Sequence, residues 1–162
     1  MTTTKAAGSS VTVRDAKLAD VELVWGIGSG TREFRTSSNV VDFWPKAILQ
    51  ESIDSRDVSI KVAEIGERLI GFLIINLNRT LKKAEFENIY VLREYRDRGV
   101  GTQMVQETLK ELKQQGIANV VTLQDEAAGY YEKIGFQKGR QFYWMDIVLH
   151  DSFARHNNEE EL

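Results

Sequence analysis

The chain has 162 residues, a net charge of −3, no cysteine and two histidines. That length suits one domain able to bury roughly two-thirds of its unfolded surface without a metal or disulfide; the absent cysteines exclude disulfides, thiolate metal sites and a cysteine nucleophile, and His150 and His156 are too few for a histidine metal cluster. The acidic balance argues against bulk nucleic-acid binding, and no apolar run approaches the ~18 residues of a membrane span, so the expectation is a cytoplasmic protein with no nucleic-acid or membrane partner and no metal.

Residues 1–10 are small and polar and 151–162 form an acidic tail, so both are expected to stay unordered around a single domain, 11–150. Val11 and Val13 alternate with Thr12 and Arg14 as a first strand, and Leu18, Val21, Val24 and Trp25 recur at helical spacing. Gly26 to Asn39, rich in Gly, Ser and Thr, reads as a loop. A second helix follows, with Asp42 as N-cap, Pro45 in the first turn, and Trp44, Ile48, Leu49, Ser52 and Ile53 on one face. Val58, Ile60 and Val62 alternate with Ser59, Lys61 and Ala63, and Gly66-Glu67 turns the chain into the apolar run Leu69 to Ile75, which makes a hairpin. Glu85 to Val91 is a fourth strand. After Gly101, Val105, Leu109 and Leu112 mark an amphipathic helix that Gly116 stops. Val120 to Leu123 is a short buried strand, Glu126 to Ile134 a helix ended by Gly135, and Phe142 to Leu149 a late strand with Trp144 and Val148. This order implies a mixed α/β sandwich.

The stretch Tyr90 to Gly101, YVLREYRDRGVG, carries charge directly before two glycines and a helix. The first N–H groups of a helix have no intrahelical partner, and the peptide dipoles concentrate positive charge there, so that end attracts an anion. Gly99 and Gly101 remove side chains that would hold a phosphate off and permit positive φ. Arg96 and Arg98 add long-range attraction, whereas Asp97 must turn its carboxylate away. A strand-to-helix turn can also use glycine for geometry alone. Walker A spacing is missing, and a dinucleotide fingerprint would need glycine where Met104 stands.

Arg96-Asp97-Arg98-Gly99-Val100-Gly101, following a fourth strand and opening a helix, resembles the coenzyme A motif of the GNAT superfamily of N-acetyltransferases. LQDEAAGYYEKIGF, Leu123 to Phe136, resembles the fifth strand and next helix of the same family. The likeness covers about residues 11 to 149. It implies a mixed, mostly antiparallel central sheet flanked by helices on both faces, with acetyl-CoA as cosubstrate and a small-molecule or protein amine as acceptor; a homodimer stays open. It also implies that backbone amides from Asp97 through Val100 and Gly101 to Thr102 hold the pyrophosphate, with Val91 at the strand edge beside the pantetheine arm. Gln124 stands where the family often has an asparagine that contacts the cofactor.

Direct attack on a thioester needs a neutral amine and a stabilised leaving thiolate. A lysine-like amine with pKa near 10.4 is neutral in only about one molecule in a thousand at pH 7, a barrier on the order of 4–5 kcal/mol; an α-amino group near 7.7–8.0 pays only about 1 kcal/mol. Glu85 and Glu87, two apart on strand four, can project from one face as base candidates, Glu87 nearer the place the resemblance implies; the alternative is two solvated charges at a strand end. Tyr131 matches the family's helix tyrosine, which implies the acid and a cofactor contact; the alternative is an aromatic anchor. Tyr130 is expected to pack. Arg32, Glu33, Phe34, Arg35, Phe43 and Trp44 fall where the family borders its acceptor site, the alternative for the aromatics being core packing; Trp144 either lines that groove or packs, and packing is the expectation. The rival functional reading is a non-catalytic acyl-CoA-binding sensor or scaffold.

Overall fold

The computed structural model describes residues 10–34, 43–123, 127–140, 147 and 149. Five strands form one sheet in the order β1 (Val11–Asp15), β2 (Val58–Ile65), β3 (Arg68–Asn78), β4 (Lys83–Val91) and β5 (Asn119–Thr122). Neighbours are antiparallel except β4 and β5, which run parallel. A parallel pair needs a crossover, and α3 (Val100–Gln114) supplies it. The sheet is mixed and mostly antiparallel, with helices on both faces, as expected.

Alternation along β3 builds both cores. Leu73, Ile75 and Leu77 join Ala84, Phe86, Met104, Val105 and Leu112 on the face covered by α3 and α4 (Ala128–Lys133). Phe72 and Ile74 join Val21, Val24, Leu49, Ile60 and Val62 on the face covered by α1 (Val21–Ser29) and α2 (Lys46–Ser52). This two-sided burial explains why the sequence from Leu69 to Ile75 is apolar without a break.

Three local readings are corrected. Gly26 to Ser29 belong to α1, not to the loop. Gly28 is there for close approach: a Cβ would lie 2.2 Å from the Phe43 ring. Pro45 is itself the N-cap of α2, with φ −57° and ψ 141°, so Trp44 precedes the helix instead of lying on its face. Lys61, whose spacing suggests an exposed face, is 4 % exposed because α3 covers that side of β2. Burial works against its ammonium, yet hydrogen bonds to Asp15 and Glu111 outweigh that and raise its pKa. Asp42, Glu126 and most of the stretch read as a late strand, including Trp144 and Val148, lie outside the described residues. So do residues 1–9, residues 151–162 and His150.

Gly71, paired with Val91 across β3 and β4, seats α3 on the sheet. A Cβ there would lie 2.7 Å from the Tyr90 carbonyl oxygen and 3.4 Å from Met104 Sδ. Gly71→Ala is therefore expected to lower the unfolding free energy by on the order of 1–3 kcal/mol in urea titration. Gly129→Ala, in a helix with open space around the added methyl, should leave stability unchanged or raise it by about 0.5–1 kcal/mol.

Candidate active site

The turn from β4 into α3 is built by short-range geometry. Arg93–Tyr95 form a single 3-10 turn, Arg96 is extended, and Asp97 then takes φ 59° before Gly99 takes φ 80° as the N-cap of α3. Asp97 answers the sequence-level puzzle through its backbone: a short polar side chain tolerates the left-handed region, and the carboxylate is exposed. The N-cap Gly99 brings no side chain to cap α3, so among the described residues the first-turn N–H groups of Val100, Gly101 and Thr102 lack the usual capping acceptor. A Cβ on Gly99 would meet open space.

Gly101 differs from Gly99. Its missing Cβ would lie 3.3 Å from the Tyr130 hydroxyl and 3.7 Å from Val91 Cγ2, so it faces α4 and the end of β4. The arginines also pack locally. Arg96 Nε donates to the Val91 carbonyl at 2.8 Å while its guanidinium stands 5.0 Å from the Tyr90 ring centre, and Arg98 stands 5.8 Å from that of Tyr95.

The β4–β5 ladder ends at Phe86 and Thr122, whereas β4 continues to Val91 against β3. Among the described residues, Glu87 to Val91 therefore have no strand partner on the β5 side. Thr122 Oγ1 donates to the Phe86 carbonyl at 3.2 Å where the strands part. Tyr131 lies beside this point, 3 % exposed and edge-on to Tyr130 and Phe136 at 5.2 Å each. Burial pushes its phenol up to about 12, only partly offset by the Thr122 hydroxyl. The hydroxyls of Tyr130 and Tyr131 are both buried, and neither completes a well-formed hydrogen bond among the described residues.

On the α2 face, the register of β4 slips by one residue: Ile75 pairs with Phe86 and Ile74 with Asn88, which leaves Glu87 as a bulge. Asn76, the cross-strand partner of Glu85, donates from Nδ2 to Glu87 Oε1 at 2.5 Å, so both glutamates share this face. Glu87 keeps solvent access, but desolvation by the surrounding chain and the charge of Glu85 raise its pKa above the ordinary carboxylate value, while Asn76 pulls it down. Trp44 Nε1 donates to Asn88 Oδ1 at 3.1 Å and ties the approach to α2 to the same strand.

The expected residues thus fall in two places. Val91, Asp97, Arg98, Gly99, Val100, Gly101 and Thr102 surround the α3 N-terminus with Arg96, and Tyr131 lies beneath it in the core, whereas Glu85 and Glu87 stand on the opposite face of β4. Phe34 and Phe43 stack at 5.6 Å and meet Phe72, which places them in the α1/α2 core. Gln124 and Arg35 lie outside the described residues. Sequence reasoning missed Asn76 and Thr122, which only strand register brings to the site; Tyr130, expected to pack, packs against the α3/α4 core and edge-on to Tyr131.

The model of the acetyltransferase (GNAT) family matches residues 30–136. The chain is 24 % identical over 146 residues, covering 81 % of it and 83 % of the relative, to an N-alpha-acetyltransferase of Sulfurisphaera tokodaii. It superposes with a TM-score of 0.67 and 13 % identity on an aminoglycoside acetyltransferase from an uncultured soil metagenomic sample in complex with sisomicin, covering 86 % of this chain and 97 % of that one. A TM-score of 0.65 and 19 % identity relate it to the PaiA N-acetyltransferase of Thermoplasma acidophilum in complex with coenzyme A, over 79 % of this chain and 90 % of that one. With its sheet order, the β4–α3 glycine turn and a family match running from just after α1 to just past α4, the chain belongs to the GNAT family of acetyltransferases.

Proposed function

We propose that the protein transfers an acetyl group from acetyl-CoA to a primary amine, the amine attacking the thioester carbon directly. One observation carries this reading: where β4 leaves β5, an uncapped helix N-terminus stands beside two buried tyrosine hydroxyls without well-formed partners. Buried polar groups are nearly always satisfied, so such a cluster fits a ligand that completes it. The surroundings suit coenzyme A. First-turn amides of α3 and the space over Gly99 would receive the pyrophosphate, and the free edge of β4 near Val91 would flank the pantetheine arm. Bound acetyl-CoA supplies an acyl group already activated as a thioester.

The side chains then divide the proton work. Glu87, held by Asn76, accepts the amine proton directly or through water; its raised pKa makes it a better base than an ordinary carboxylate. Tyr131 stays protonated across the neutral range and donates toward the leaving sulfur. Glu85 tunes Glu87 by charge. The acceptor class extends from protein N-termini to small amines; among the similar proteins, one is named an N-alpha-acetyltransferase and another an aminoglycoside acetyltransferase.

Incubation with acetyl-CoA and a panel of amines and peptides should yield an acetylated acceptor above the uncatalysed rate by mass spectrometry. Tyr131→Phe should slow turnover on the order of a hundredfold with CoA affinity nearly unchanged. A non-catalytic sensor would show no turnover in either protein while still binding CoA.

The pH profile tests Glu87. Because the ionised form accepts the proton and its pKa is raised, activity should climb with pH through a limb above the ordinary carboxylate range. Glu85→Gln removes a like charge and should move that limb to lower pH; Asn76→Ala removes a hydrogen bond to the ionised form and should move it higher. An acceptor amine's own titration would stay put in both variants.

A further inference from the structure

We propose that the turn between β3 and β4 is a docking point for the acidic segment 157–162 of this same chain, NNEEEL. Arg79, Thr80, Leu81 and Lys82 make the turn, and Lys83 opens β4. All five are exposed, Leu81 at 70 %. Arg79 Nε donates to the Arg56 carbonyl at 3.0 Å, which brings a further exposed cation to the same end of the sheet. Asp54 and Asp57 flank Arg56 in the chain and Glu85 follows shortly after Lys83, yet among the described residues no carboxylate forms an ion pair with Arg56, Arg79, Lys82 or Lys83. In a chain of net charge −3, unneutralised positive charge is thus concentrated around one exposed leucine.

The backbone of the turn supports recognition. Lys82 takes φ 51°, a left-handed conformation that glycine adopts freely and lysine does not, so this charged side chain is kept at a conformational cost. The turn is also held in place. The Lys82 N–H donates to the Arg79 carbonyl at 3.3 Å, the Lys82 carbonyl accepts from the N–H groups of Ala118 and Asn119 at 2.7 and 3.2 Å, and the Leu81 N–H donates to Asn78 Oδ1 at 2.9 Å. A turn fixed in this way loses little freedom when it binds. Segment 157–162 is its complement: Glu159, Glu160 and Glu161 supply the opposite charge, and Leu162 an apolar side chain to cover Leu81. From Leu149 to Glu159 the extended chain reaches ~35 Å, about the diameter of a domain of this size, and the covalent link raises the segment's local concentration to the order of millimolar. A nucleic-acid backbone would match the cations but leave Leu81 in water. The proposal is independent of the acetyl-CoA reading above.

The test is zero-length carbodiimide cross-linking of the full chain, in an equal mixture of ordinary and ¹⁵N-labelled protein, with peptide mapping by mass spectrometry. Glu159 to Glu161 should link chiefly to Lys82 and Lys83, within one molecule. Arg79→Gln leaves both amines in place and should cut that yield about three- to tenfold, as should about 0.5 M sodium chloride. Leu81→Ser should cut it roughly twofold. Lys82→Gly relieves the left-handed position, so the melting temperature should hold or rise while the yield at Lys83 falls. Links spread over the exposed lysines without preference, or a yield unmoved by both Arg79→Gln and Lys82→Gly, overturn the proposal. Links found only between labelled and unlabelled molecules overturn it as well, because they place a second copy on the turn.

Discussion

The parting of β4 from β5 after Phe86 and Thr122 is the constraint on which the rest of the molecule depends. Up to that pair β4 has a strand on each side; beyond it, among the described residues, β4 pairs with β3 alone as far as Val91. An unpaired strand edge holds a row of donors and acceptors that a fold must cover or offer to a partner. Here the edge runs directly to the uncapped start of α3, pressed onto the sheet through Gly71 and Met104.

The same geometry separates two proton-handling environments across one strand. Glu87 bulges from β4 on the α2 face, where Asn76 and Glu85 act on it in opposite senses and solvent still reaches it. Tyr131 lies on the α3/α4 face, enclosed by aromatic rings, with its phenol held in the neutral form. In the proposed reaction the first group takes a proton and the second keeps one until charge develops nearby. Unlike surroundings thus shift the two ionisable groups in the senses that the proposed division of tasks requires.

Much of this was legible in the residues. The helix from Val100, its stop at Gly116, the hairpin across Gly66 and the glycine turn itself follow from periodicity and from the positions where positive φ is required. What escaped depended on neighbours distant in the chain. Gly28 looks like a loop residue until Phe43 is placed against α1, and Lys61 looks solvent-facing until Glu111 arrives from α3. The site shows the same division: the α3 end was visible as a motif, whereas Asn76 meets Glu87 only through the β3–β4 register and its slip.

By itself, the sequence determined the order and kind of the elements and the electrostatic character of the β4–α3 turn, because helix ends, turns and alternation are governed by residues within a few positions of one another. Tertiary structure alone decided which oxygens are enclosed, which carboxylate is crowded and which glycine faces a neighbour instead of open space. Those properties are sums over atoms brought together from separate segments of the chain, and no local pattern encodes the approach of Tyr130 to Gly101.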